Sequence, residues 1–173
     1  MSKKKETRTD KAIMQIKLAF KGALFNLIYL EEKLLEIENI PIYQYCNYLS
    51  HISLCIEIGL KSIIINSDDY EHEHELNVLF LATPSAFQKN IKNIYSDNEK
   101  FSILMSKTLK IFEHFRYYTL ESNFNEYLDH NMINDDKTIK FKNADYQENV
   151  IFLKIFINEI VKYEENIRMD VLE

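Results

Sequence analysis

One guanidinium carries most of the chemical interest of this chain. Arg116 stands in the run Glu113-His114-Phe115-Arg116-Tyr117-Tyr118-Thr119-Leu120-Glu121, and it is one of three arginines in 173 residues. A guanidinium beside an apolar stripe must meet a carboxylate or a substrate anion, because an unpaired buried charge is too costly to keep. Two roles are open to it. It can close a structural ion pair, with Glu113 one turn back or with Glu57 from another helix. It can instead hold a phosphate or an acidic ligand through its planar fork of donors. Acid–base work would further require an imidazole within reach of the reacting atom. His114 precedes Arg116 by two positions and so points in a different direction on a helix. His130 lies fourteen residues on, and only a folded-back loop would return it.

The other reactive residue types are read the same way. Glu57 and Lys61 stand i to i+4 in the favourable order, and a surface pair of that kind contributes about 0.3–0.5 kcal/mol. Their expected role is structural. The run Tyr70-Glu71-His72-Glu73-His74-Glu75 places two histidines on one face of a strand but not of a helix. With no HExxH and no cysteine partner nearby, no metal site is expected, and His74 is expected to support the start of a helix. Tyr117, Tyr118, Phe124 and Tyr127 are of types that stack on bases, but at helical spacing they are expected in a core or an interface. No nucleophile elbow or glycine-rich phosphate loop is present, and no cofactor is implied. Cys46 and Cys55, nine apart on one helix, would be separated by roughly 13 Å along its axis and face opposite ways, so they are expected as unpaired thiols.

Long helices are needed to position these groups, and the composition provides for them. There are only two glycines and two prolines, 46% of residues are hydrophobic and 28% are charged. This is the make-up of one packed helical domain, not of a loop-rich sandwich or a disordered chain. A first helix is expected from about Thr9 to Asn39. Ile13, Ile16, Phe20, Leu24, Leu27, Ile28, Leu34 and Leu35 form its main stripe, and Leu18, Phe25 and Tyr29 form a second, so it should touch two partners. Ile40-Pro41 breaks it. A second helix, about Pro41 to Asn66, carries Tyr45, Leu49, Ile52, Ile56, Gly59, Leu60 and Ile63. Gly59 costs about 1 kcal/mol there and implies close approach of another helix backbone. A short helix follows from Glu71 to Leu81. Thr83 is then expected as N-cap and Pro84 in the first turn of another, ending near Ile94. A fourth major helix is expected from Asn98 to Glu121, and a last from Asn143 or Asp145 to Arg168. Val150–Ile157 is apolar nearly all round, which places that last helix centrally or in a subunit interface. Between these two helices, residues 137–142 alternate as a small strand or hairpin arm would.

The expected architecture is all-α, a single up-and-down bundle of about five main helices spanning residues 9–173. Residues 1–8 are expected as a disordered basic tail. The net charge of −6 disfavours broad nucleic-acid binding, and no DNA partner is expected. Unpaired thiols and no signal-like segment fit the cytoplasm, and the most apolar run, Val150 to Val161, is too short and too charged for a membrane span.

Three segments in order resemble one family. Cys55-Ile56-Glu57-Ile58-Gly59-Leu60-Lys61-Ser62-Ile63-Ile64, His74-Glu75-Leu76-Asn77-Val78-Leu79-Phe80 and Phe112-Glu113-His114-Phe115-Arg116-Tyr117 are similar to the helix motifs of HEPN domains. The resemblance implies an all-α bundle, a homodimer, and a link to toxin–antitoxin or phage-defence systems. Members are either RNases or non-catalytic modules that bind protein or RNA. Catalytic members carry an arginine, then four to six intervening residues, then a histidine. Here the corresponding positions are Glu121, Ser122 and Asn123. The resemblance therefore implies a non-catalytic binding or scaffold module, with Arg116, Tyr117, Glu57, Lys61 and His74 as binding candidates. The alternative is a metal-independent RNase using Arg116 with His114 or His130.

Overall fold

The computed structural model describes residues 2–65, 74–94, 102–103, 134, 136, 138–140 and 148–170, with the backbone alone for 2–10, 148–149 and 166–170. It is an all-α bundle with one minimal sheet. Helix α1 spans Ser2–Leu35, strand β1 Ile40–Pro41, α2 Ile42–Ile64, α3 Leu76–Ala82, α4 Ser85–Ile94, strand β2 Thr138–Ile139 and α5 Glu148–Asp170. The fourth major helix expected over 98–121 lies outside the described residues, apart from helical Ser102 and Ile103.

Helix α1 starts seven residues before the expected Thr9, so residues 2–8 form its first turns where a disordered tail was expected. It also ends earlier, at Leu35. Ile37 N–H bonds the Leu34 carbonyl at 3.2 Å, and Lys33 reaches forward to the Glu36 carboxylate at 2.9 Å. That bond and the charge of Glu36 raise the Lys33 pKa above its ordinary value. The chain is then extended at Ile40–Pro41, because proline fixes φ and the residue before it is held out of the helical region. Pro41, at φ −57° and ψ 140°, precedes α2 instead of entering its first turn. β1 pairs antiparallel with β2, Ile40 opposite Ile139 and Pro41 opposite Thr138. Both isoleucines are fully buried. Residues 137–142 thus do contain a strand, but its mate is remote in sequence, so it is no hairpin arm. Asp136 shapes its entry: one carboxylate oxygen accepts from Thr138 N–H at 3.1 Å and from the Thr138 hydroxyl at 2.6 Å.

Helix α2 is the central element. It contacts α1, α3, α5 and both strands. Every residue of its expected stripe is buried, and so are Cys46, Tyr48, Ser53, Cys55, Glu57, Ser62 and Ile64 on the flanking faces, while Tyr43, Asn47 and Leu54 are exposed. The expectation had put α5 either centrally or in a subunit interface. α5 instead buries Val150, Phe152, Leu153, Phe156, Ile157 and Ile160 and leaves Ile151 exposed, so it is an amphipathic wall. α1 covers another side of α2 with Phe20, Leu27 and Leu34, buried at seven-residue spacing. Lys17 pairs with Glu164 at 3.1 Å and Glu31 with Lys154 at 2.5 Å, so α1 runs antiparallel to α5. Gly59 and Ser62 of α2 meet Ile160 and Glu164 of α5 in the same order, so those two helices run parallel.

The turn between α3 and α4 departs from expectation by one position. The Thr83 hydroxyl donates backward to the Phe80 carbonyl at 2.6 Å, closing the end of α3. It is therefore spent before it can cap α4. Pro84 takes the cap position, its carbonyl accepting from Gln88 N–H at 3.1 Å. The Gln88 amide donates to the carbonyls of Thr83 and Leu81 at 2.8 and 2.9 Å.

Gly59 is the point of closest packing. A Cβ built there would lie 2.8 Å from Ile160 Cγ2 and 2.8 Å from the Phe20 ring. The close approach expected from the sequence exists, but side chains of α5 and α1 make it, not a helix backbone. Gly59→Ala would gain about 1 kcal/mol of helix propensity and lose more to overlap with two neighbours that are themselves packed. A net destabilisation of about 1–3 kcal/mol is expected in urea titration. A stabilised variant would mean that Ile160 and Phe20 yield freely.

Candidate functional site

Three of the polar residues singled out in the sequence, Glu57, Lys61 and His74, converge near the C-terminal end of α2. Glu57 and Lys61 fall one turn apart on the same face because of their four-residue spacing. The chain that leaves α2 returns at His74, two residues ahead of α3. Glu57 Oε1 accepts from Lys61 Nζ at 2.9 Å and lies 2.7 Å from His74 Nδ1. Lys61 Nζ and His74 Nδ1 are 3.4 Å apart. Since Lys61 has no acceptor, the arrangement is satisfied when both nitrogens donate to the carboxylate, which assigns the Nδ1–H tautomer to His74.

Burial gives this cluster its character. The side chains of Glu57 and Lys61 are 4% and 12% exposed, so the surface pair expected from sequence is an interior one. The reason is the packing of α1, α3 and α5 around α2, which encloses Glu57 although Leu54, one turn earlier, is 41% exposed. The His74 side chain is 46% exposed and forms the open end of the group. As chemistry, the arrangement orients an imidazole by a carboxylate, as acid–base sites do. As architecture, it fastens the segment entering α3 to the end of α2, which is the expected role of His74 at a helix start.

Arg116, His114, Tyr117 and His130 lie outside the described residues, as do His72, Glu113, Tyr118, Phe124 and Tyr127. Of the candidates read from sequence, the structure therefore brings together Glu57, Lys61 and His74. Among the described residues, no group of three His, Cys, Asp or Glu is placed to hold a metal ion.

A second polar group escaped the sequence reading. Glu164, buried in α5, faces the Ser62 hydroxyl at 2.8 Å and Lys17 at 3.1 Å. The same hydroxyl lies 2.7 Å from the Gly59 carbonyl. These residues come from three helices far apart in sequence, so no local spacing could reveal them. Lys154 gave a faint signal: a lone ammonium inside an apolar run must find a carboxylate, and it finds Glu31.

The two thiols are unsuited to nucleophilic chemistry. Cys46 and Cys55 are free and buried on opposite sides of α2. Burial pushes the Cys55 thiol up to about 12 and raises that of Cys46 as well. Cys46 Sγ donates to the Ile42 carbonyl at 2.9 Å. A thiol held in that form neither attacks nor binds metal readily.

Among the described residues, α1 presents an exposed apolar face. On α1, Met14, Leu18, Phe25, Ile28, Tyr29 and Leu35 are exposed, Phe25 at 70%. They include the second strip expected from sequence, Leu18, Phe25 and Tyr29, and also Ile28 and Leu35, which had been expected in the main stripe and are instead exposed beside the buried Leu27 and Leu34. No family model, no curated protein and no solved structure matches this chain.

Proposed function

We propose that this protein is a non-catalytic, HEPN-like binding or scaffold module that engages a protein partner through the outer face of α1. The observation that carries the reading is that uncovered apolar face, joined to the inward-turned character of the polar cluster. A row of large apolar side chains exposed along one helix is the usual mark of an interaction surface. Glu57 and Lys61, by contrast, are enclosed and paired with one another. The net charge of −6 favours a protein over a nucleic acid as the bound species. The cytoplasmic setting, which rests on the unpaired thiols, and the link to a toxin–antitoxin or defence system, which rests on the motif resemblance, belong to the same proposal.

A second reading has one observation in its favour. The half-exposed imidazole of His74, held by Glu57 at 2.7 Å, is a better placed acid–base group than the sequence suggested. It would give a metal-independent RNase a histidine, with Arg116 for the phosphate. Purified protein incubated with mixed RNA in EDTA separates the two. The RNA is expected to stay intact. Cleavage that disappears in His74→Ala or Arg116→Ala would replace the scaffold reading with the nuclease one.

A further inference from the structure

The apolar face of α1 has a gap at its centre. Met14, Leu18, Gly22, Phe25 and Tyr29 follow one another at spacings of four, four, three and four residues, so they stand in one line along the outer side of the helix. Four of them are large and more than half exposed, Phe25 the most. The middle one is glycine, and a Cβ built on it would meet nothing within 4 Å among the described residues. With Leu18 before it and Phe25 and Tyr29 after it, this gap is a hole of the kind that a large side chain of an adjacent helix enters. A glycine inside a helix weakens it. Unlike Gly59, Gly22 answers no crowding within the described part of the chain.

Charge adds a second requirement. Lys11 and Lys21 are exposed, Lys11 in line with the strip and Lys21 beside it. Lys17 finds a carboxylate at Glu164, but Lys11 and Lys21 make no ion pair among the described residues. Ahead of them the sequence puts Lys3, Lys4, Lys5 and Arg8 into the opening turns of α1, and the first turn has no acidic residue. That is the reverse of what the helix dipole favours, since carboxylates stabilise a helix N-terminus. From the gap and the uncompensated charge, and resting on the reading that this face binds a protein, we infer that its occupant is an amphipathic helix of a different protein. That helix puts a large apolar side chain into the gap at Gly22 and acidic residues against Lys11 and Lys21.

Other occupants meet these requirements less well. The stretch Lys11–Leu35 is long and apolar enough to cross a membrane by length and composition. Lys17 and Glu31 within it are held by α5, however. Glu32 and Glu36 also continue the exposed line past Tyr29, and carboxylates are costly to press into a bilayer. A second copy of α1 would have to seat its own Phe25 in the gap. The antiparallel register that does so sets Met14 against Lys33, Glu32 against Gln15 and Lys21 against Asn26. The lysine and the carboxylate then go unanswered.

A displayed library of helical peptides, selected on the immobilised full chain, tests the inference. Each peptide carries leucine, phenylalanine or alanine at the seam positions, and glutamate or lysine at equal odds beside them. Peptides that the wild type retains are expected to be enriched in glutamate and to carry leucine or phenylalanine at the central seam position. Phe25→Asp should weaken the best peptide by ~10-fold or more, with an unchanged helical circular-dichroism spectrum. Gly22→Leu, which fills the gap, should weaken it as much while raising the melting temperature, because leucine is the better helix former. The pair Lys11→Glu and Lys21→Glu should turn the enrichment toward lysine. Retained peptides with no charge preference, or with an excess of lysine, would overturn the inference and leave the protein-binding reading standing. So would a best peptide indifferent to Gly22→Leu. A wild-type dimer in light scattering that Phe25→Asp breaks would overturn it in favour of a second copy. A protein that retains no peptide, or that sediments with anionic phospholipid vesicles more strongly once Gly22→Leu adds apolar surface, would overturn both the inference and the reading beneath it.

Discussion

Truncating Phe156 to alanine is expected to cost about 3–5 kcal/mol, the largest single effect in the molecule. Phe156 is 2% exposed, and its ring centroid lies 5.6 Å from that of Phe80, 6.2 Å from Phe87 and 5.9 Å from Phe152. It thus joins α3, α4 and α5 at one point. Aromatic pairs at these separations add about 0.5–1.5 kcal/mol each beyond the area they bury. The short helices depend on such tertiary contacts, since α3 has seven residues and α4 has ten, lengths at which isolated helices do not persist. Against a total stability of about 5–15 kcal/mol, the loss should lower the midpoint of thermal unfolding by roughly 8–15 °C. Ile151→Ala, on the exposed side of the same helix, should change stability by no more than about 0.5 kcal/mol. Equal effects of the two substitutions would mean that α5 does not present this face to the core.

Removing the Glu57 carboxylate is expected to be nearly as damaging. Deleting one partner of a buried pair commonly costs about 3–5 kcal/mol, because the remaining charge is left without compensation. Here the loss should be lower, about 2–3 kcal/mol, since Lys61 and His74 can both turn part-way to water. Glu57→Gln, which keeps an acceptor, should cost less than Glu57→Ala. The diagnostic measurement is a double-mutant cycle of Glu57→Ala with His74→Ala in urea. A coupling of about 1 kcal/mol or more identifies the contact as the fastening between α2 and α3. Additive losses would remove it from that role. The same cycle with Arg116 asks whether that guanidinium, one of whose expected partners was Glu57, shares the carboxylate.

The parts of the fold legible in the sequence are those encoded by local periodicity. The Tyr45-to-Ile63 stripe marked a helix and its buried face because three- and four-residue spacing puts those side chains on one side of a cylinder. Gly59 within that stripe forecast close packing, since an interior helix glycine needs a compensating contact. Ile40-Pro41 forecast a break for steric reasons that operate within a dipeptide. The outer strip of α1 was visible as well, in Leu18, Phe25 and Tyr29. What it faced was not.

Other features were out of reach for one reason, the distance in sequence between the groups concerned. Ile40 and Ile139 form a sheet rung, yet nothing in either segment names the other. Val150–Ile157 is more continuously apolar than any comparable run of α2, yet α2 occupies the centre, because three helices and both strands pack against it. That placement turned the Glu57–Lys61 spacing from a solvated surface pair into an enclosed one and gave His74 its carboxylate. Periodicity and capping chemistry by themselves determined that the chain makes amphipathic helices and where most of them break, since these depend on neighbours within a turn or two. Tertiary packing alone decided which helix lies innermost, which charges lose their water and which apolar strip stays uncovered, because burial is a property of what the remainder of the chain brings alongside.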